Sequence, residues 1–323
     1  MKNIIFISLL ILSFSCKKEE DKTTATPALN TNLVLSKTEI PVAAPIRNLS
    51  SSFWVGKLSD ADIFYIHNLS NTGDSEAKGM MFYSVFGNTF TDYSYSEDVA
   101  AAGYMSKLVS VGGLYLYYCA SDFVRYNRFS NSWDEGTNYP DNIHDNNAET
   151  GVCVFDRDIY FIGGRIACKT VKFYDTDTQI WTNSADYPID IGNTASATDK
   201  VRYIYSLGGG EGLDYQPTKK FYRYDTQDNS WQEMPDCPRE IRQSITLNLM
   251  CFFKGKYLAV LCEDNKIYIY NIETNQWQTS GLETGLTIDT IYAHLEASTD
   301  GTKFYVLYKK ENDQLGISVY SPI

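Results

Sequence analysis

The chain is poor in the residues that most catalytic and nucleic-acid-binding proteins depend on. It has three histidines, His67, His144 and His294. No CxxC pair is present to hold a zinc ion. GxSxG, HExxH and phosphate-cradling glycine loops are also missing. Sequence therefore names no catalytic residue, metal site or cofactor. Lys+Arg number 28 against Asp+Glu 40, a net charge of −12, which argues against a nucleic-acid partner because binding to a phosphate backbone needs clustered cations. Beyond residues 4–12 no apolar run approaches the ~18 residues of a membrane-spanning helix. No long window carries apolar residues at i, i+3, i+4 and i+7, so helices are not expected.

What the chain has is aromatic side chains: 14% of residues, led by 25 tyrosines and 16 phenylalanines. That bias, with only 9 prolines, favours strands. Hydrophobic residues at 43% and charged residues at 21% are proportions of a folded globular protein.

Lys2, then the apolar run Ile4 to Leu12, then Ser13-Phe14-Ser15-Cys16 have the layout of an export signal. Residues Leu12 to Cys16 resemble the lipobox of bacterial lipoproteins. The resemblance implies a signal peptide over 1–15, a lipid on Cys16 as the membrane contact, and an outer-membrane, cell-surface address. The charged run Lys17-Lys18-Glu19-Glu20-Asp21-Lys22 and the Thr/Ala/Pro stretch after it read as a flexible tether over 16–30.

A repeat fills residues 31–323. A tyrosine followed seven positions later by a large aromatic recurs at Tyr83/Phe90, Tyr126/Trp133, Tyr174/Trp181, Tyr224/Trp231 and Tyr270/Trp277. Six intervening residues accommodate one flanking pair and a four-residue turn, so tyrosine and tryptophan are expected to face each other across a hairpin. The residue after each tyrosine (Ser84, Asn127, Asp175, Asp225, Asn271) is a turn former. Asn88, Asn131, Gln179, Asn229 and Asn275 stand five after it and close the same turn. Two further strands precede each hairpin, as in Gly151 to Phe155 and Asp158 to Ile162, which gives four strands per repeat of about 48 residues.

The third and fourth repeats resemble kelch repeats, with Gly163-Gly164, Tyr174-Asp175 and Trp181, then Gly208-Gly209, Tyr224-Asp225 and Trp231. The other repeats keep the aromatic pair but not the double glycine. Gly112-Gly113 falls a strand early and reads as a turn. The resemblance implies an all-β, six-bladed kelch-type β-propeller, its last blade completed by an N-terminal strand near Asn32 to Ser36. Prolines stand seven residues after tryptophan at Pro140, Pro188 and Pro238, and Pro41 stands seven after Val34, so Val34 is expected to take the tryptophan's place in that blade.

Among the cysteines after Cys16, Cys153 and Cys168 share a repeat and could pair, although small buried hydrophobes are the simpler reading of all six. His67 and His294 fall in strands and read as core residues.

In propellers the ligand site lies at the channel mouth, on the loops joining successive blades and those between second and third strands. Counting from the tryptophans carries that site to His144, Asp190, Glu240 and Arg242, and a shift of a residue or two adds Arg47 near the N-terminus and Asp289 after Trp277. The arginines suit a carboxylate or sugar acid, and Tyr139, Tyr187 and Tyr215 could stack on sugar rings. The expected partner is a glycan or a protein, bound by a surface-tethered module. The alternative is a sugar-acid epimerase (mutarotase) of the sialic acid type, implied by the resemblance in size to some six-bladed bacterial kelch proteins that act so, with Arg47, Arg242, Glu240, His144 and Asp190 as candidate acid–base and anchoring groups.

Overall fold

The computed structural model describes residues 33–323 apart from 45–48, 50–51, 59, 70–78, 94–106, 120–122, 131, 136–149, 165–166, 213, 242–247 and 287–292. The expected signal peptide, Cys16 and the expected tether lie outside the described residues. So do four candidate site residues, Arg47, His144, Arg242 and Asp289.

The described residues are all-β, with no helix among them. They form six antiparallel sheets, each built of four strands in order, consistent with a β-propeller. The first is Ser52–Lys57, Ile63–Leu69, Gly79–Ser84 and Thr89–Tyr93. The second is Lys107–Val111, Tyr115–Cys119, Phe123–Asn127 and Ser132–Glu135. The third is Gly151–Phe155, Asp158–Ile162, Val171–Asp175 and Ile180–Asn183. The fourth is Ala195–Thr198, Tyr203–Leu207, Phe221–Asp225 and Ser230–Met234. The fifth is Met250–Phe253, Tyr257–Leu261, Lys266–Asn271 and Gln276–Trp277, with Leu282–Glu283 added beside the third strand. The sixth takes Ala293–Ala297, Phe304–Lys309 and Leu315–Pro322 from the C-terminal part and Leu35–Glu39 from the other end of the chain.

Every tyrosine–aromatic couple read from the sequence stands directly opposite in register. Ring centroids of Tyr83/Phe90, Tyr174/Trp181, Tyr224/Trp231 and Tyr270/Trp277 lie 4.8 to 5.1 Å apart, within the range of a favourable aromatic pair. The turns hold this register. Asp175 Oδ1 accepts from the backbone N–H of Asp177 and Thr178 at 2.9 and 3.1 Å. Asp225 does the same for Gln227 and Asp228. The closing residues Asn88, Gln179, Asn229 and Asn275 all adopt φ between 47° and 60°, the left-handed conformation that asparagine tolerates better than most residues.

Each sheet packs on the next through aromatic rings: Tyr65 on Tyr126, Tyr117 on Tyr174, Tyr160 on Tyr224 and Phe221 on Tyr270 from middle strands, and Phe253, at the end of a first strand, on Phe304. The sixth sheet meets the first through Phe64 and Tyr305, whose hydroxyl donates to Asp62 Oδ2 at 2.7 Å.

The N-terminal strand joins the sixth sheet, but its register differs from the proline count. Lys37, not Val34, stands opposite Tyr320, and Val34 is exposed. In the other five sheets a turn of fixed length sets the tyrosine–aromatic spacing. Here the two strands come from opposite ends of the chain, so no turn imposes it. Leu315–Pro322 runs two residues past Tyr320 and pairs Pro322 with Leu35.

The double glycines serve close approach. Gly163 has φ +69°, and a Cβ there would lie 2.1 Å from the Ile191 carbonyl oxygen, on the segment connecting the third sheet to the fourth. The Gly112-Gly113 pair is a turn between the first two strands of the second sheet.

Candidate functional site

Sheet polarity places the first strands of all six sheets around one cavity of about 640 Å³. Its wall is mostly aliphatic, as strand alternation requires, and includes Val55, Val109, Val152, Ala197 and Met250. Turns joining first to second strands rim it, through Gly112, Asp156 and Lys200.

Beside its serines and a threonine, three lysines (Lys57, Lys107 and Lys200), Asn248 and Glu296 interrupt that wall. Lys107, the first residue of its strand, is buried, and its Nζ donates to Thr194 O at 3.0 Å. Thr194 leads into the fourth sheet, so this bond spans from the second sheet past the third. Burial pulls the Lys107 ammonium down to about 8. Lys57 Nζ donates to Leu58 O at 2.8 Å and Thr299 Oγ1 at 3.0 Å and lies 3.8 Å from Asp62 Oδ1. Burial lowers its pKa, opposed by the charges of Glu296 and Asp62. Burial raises the Glu296 carboxyl, opposed by the Asn248 amide, which donates to Oε1 at 3.0 Å, and by the charges of Lys57 and Lys200. Three ammonium groups thus share the cavity with two carboxylates, Glu296 close to Lys57 and Lys200, and Asp156 at the rim.

None of these five was singled out in the sequence. The available signal was a lone charge in an otherwise apolar strand, as in Lys107-Leu108-Val109-Ser110-Val111 and Ala293-His294-Leu295-Glu296-Ala297.

The described candidates from the loop count lie elsewhere. Asp190 and Tyr215 come together around Gly212, whose N–H donates to Asp190 O at 3.1 Å and whose carbonyl accepts from Tyr215 N at 3.2 Å. They flank a small three-stranded sheet of Ile191–Gly192, Gly210–Glu211 and Gln216–Pro217. Tyr215 braces that sheet, its hydroxyl donating to Gly164 O at 2.9 Å. Glu240 sits at the next joint, its carbonyl accepting from Glu263 N at 3.0 Å. None of the three lines the cavity. Tyr187 is not available to stack on a sugar: it is buried, edge-on to Tyr222 and Trp231, because the sixth position after the tryptophan packs into the joint between sheets.

His67 and His294 are core residues, as expected from their strands. The Asn248 N–H points at His294 Nδ1 from 3.4 Å, and Nε2 lies 3.3 Å from Phe53 O, an arrangement that suits the neutral Nε2–H tautomer. Among the described residues no group of three or more His, Cys, Asp or Glu is placed to hold a metal ion. No helix among them is long and apolar enough to cross a membrane.

Residues 202–238, the second to fourth strands of the fourth sheet, match the family model of the kelch motif. The matched stretch contains Gly208-Gly209, Tyr224-Asp225 and Trp231. Over 147 residues, 44% of this chain, the sequence is 26% identical to Kelch-like protein 25 of Xenopus tropicalis. The match takes in 23% of that protein's length. These matches support a kelch-repeat family.

Proposed function

We propose that this chain is a ligand-binding module: a six-bladed kelch propeller, sealed by Leu35–Glu39, that receives an acidic ligand in its central cavity. Kelch repeats suggest a protein ligand. The observation that carries the reading is the convergence of Lys57, Lys107 and Lys200 on one cavity lined by a strand from each sheet, in a protein whose net charge is −12. A positive focus inside an acidic body attracts an Asp or Glu side chain of a partner, or the carboxylate of an acidic glycan. The six-blade reading draws on the same strand order and on the contacts between the sixth and first sheets.

The test uses the chain from Thr31 onward in a glycan array and in affinity capture of protein partners, beside the Lys107→Met/Lys200→Met variant. A ligand bound by the parent and lost by the folded variant supports the cavity. A ligand retained by the variant moves the site to the opposite face, where Asp190, Tyr215 and Glu240 lie. The sugar-acid epimerase reading draws on the same cavity, since Lys107 titrates at about 8 and can exchange a proton close to neutrality, while burial raises the Glu296 carboxyl above its ordinary value. NMR exchange between sugar anomers separates an enzyme from a binder.

We also propose that residues 1–15 are removed, that Cys16 carries a lipid and that residues 16–30 tether the propeller to the outer membrane. The support is the lipobox-like run ending at Cys16. Incorporation of labelled palmitate that disappears in Cys16→Ser tests it.

A further inference from the structure

The joint between the fourth and fifth sheets differs from its neighbour at two positions, and both differences are cysteines. At the joint between the third and fourth sheets, the sixth residue after the tryptophan is Tyr187. It packs on Tyr222, and its hydroxyl donates to Ser206 O at 3.4 Å. At the next joint the corresponding residue is Cys237, held by the same backbone bond: Cys237 N to Lys219 O, as Tyr187 N to Lys169 O. On the facing sheet, strand register puts Cys262 where Gly163 and Gly208 stand in the third and fourth sheets. The two departures meet, with Cys237 Sγ 3.8 Å from Cys262 Sγ. Both residues are buried, at 2% and 0% exposure.

We propose that Cys237 and Cys262 form a disulfide that staples the fourth sheet to the fifth. The sulfurs are already in van der Waals contact, and small side-chain rotations bring them to the ~2 Å of a covalent S–S bond. The oxidant is a disulfide donor, a small-molecule or protein disulfide. One cysteine thiolate attacks a donor sulfur, forming a mixed disulfide and releasing one donor thiol. The second attacks the protein sulfur of that mixed disulfide and expels the other. Two protein thiols become one disulfide, the donor disulfide becomes two thiols, and the two protons end on them.

Timing follows from the surroundings. Both thiols are buried, so a disulfide donor has little access to them in the folded protein, and the neighbouring Cys237 sulfur together with burial pushes the Cys262 thiol above its ordinary value. The bond therefore forms while the fifth sheet docks, and once made it is shielded from reductants. The spacing-based alternative is not assembled: Cys153 lines the central cavity while Cys168 bridges to Ile191.

The full chain is denatured, reduced, and refolded with and without oxidised glutathione, then alkylated in denaturant and digested without reduction. The expected product with the oxidant is one linked peptide pair containing Cys237 and Cys262, two fewer alkylated cysteines, and a Tm higher by roughly 5 °C. The Tm difference between the two preparations should vanish in Cys237→Ala. Native reduced protein exposed to the same oxidant should form the link at least tenfold more slowly. Full alkylation of both cysteines after oxidative refolding, or a link to any other cysteine, overturns the proposal. Because peptide mapping is done on the unmutated chain, the answer does not depend on how well Cys237→Ala folds.

Discussion

The indole Nε1–H of Trp277 donates to Pro235 O at 2.8 Å, and that of Trp231 to Ala185 O at 3.0 Å. In each case the acceptor stands four residues after the tryptophan of the preceding sheet. The residue that pairs with tyrosine within one sheet therefore also latches that sheet to the segment leaving the previous one.

Trp277→Phe keeps the ring but removes the donor and leaves the Pro235 carbonyl to solvent. Destabilisation of about 1 kcal/mol is expected, the ordinary net value of one such hydrogen bond. Trp277→Ala also removes the packing on Tyr270 and Phe221 and should cost about 3 kcal/mol or more. Urea unfolding followed by circular dichroism measures both. Equal losses in the two variants would refute the latch.

Asn229 carries a second part of the same joint. Its Oδ1 accepts from Tyr224 Oη at 2.7 Å and from Ala185 N at 2.8 Å, while its backbone holds φ 48°. Asn229→Ala loses both bonds and puts an alanine in the left-handed region, so about 2–3 kcal/mol of stability should go. Asn229→Gly removes the strain but not the loss of bonds and should fall between alanine and the parent. If glycine proves no better than alanine, backbone conformation is not part of Asn229's role.

The hairpin couples were legible because a turn of fixed length converts a spacing of seven into a cross-strand pair, and side chains such as Asp175 mark the turn. The partner of Tyr320 was not legible, because Lys37 arrives from the far end of the chain and pairs by backbone register alone. The cavity was hidden for a similar reason. Lys107, Lys200 and Glu296 are far apart in sequence, and only the arrangement of first strands brings them to one wall. Tyr187 looked like a loop aromatic, yet the sixth position after Trp181, as after Trp231, is where the joint closes.

Both buried histidines make stability depend on pH. Burial lowers His67 and His294 to about 4, below the ~6.5 of an exposed histidine. Between those values the unfolded chain binds more protons than the folded one, so stability rises with pH across that window. It is fully present above about 6.5 and lost as pH falls toward 4. On the order of 1–2 kcal/mol per histidine should disappear between pH 7 and pH 5, read from denaturant midpoints. His294→Gln, which retains a polar side chain near Phe53 O, should flatten the dependence. An unchanged slope would mean that His294 binds protons equally in the folded and unfolded states.

Lys107 gives the proposed cavity its own pH signature. Its ammonium is fully charged below about 8 and loses its proton above, because burial penalises the charge and the Thr194 carbonyl replaces only part of its hydration. Surface lysines titrate above 10 and keep their charge across the same interval. An acidic ligand held in the cavity should therefore bind several-fold more weakly at pH 9 than at pH 7. Lys107→Met should bind weakly at both, with the pH dependence gone, and its gain in packing should leave the fold intact. Isothermal titration at the two pH values reads the difference directly. Binding that is unaffected by pH in the parent would exclude Lys107 from the contact and shift attention to Lys200, at the rim.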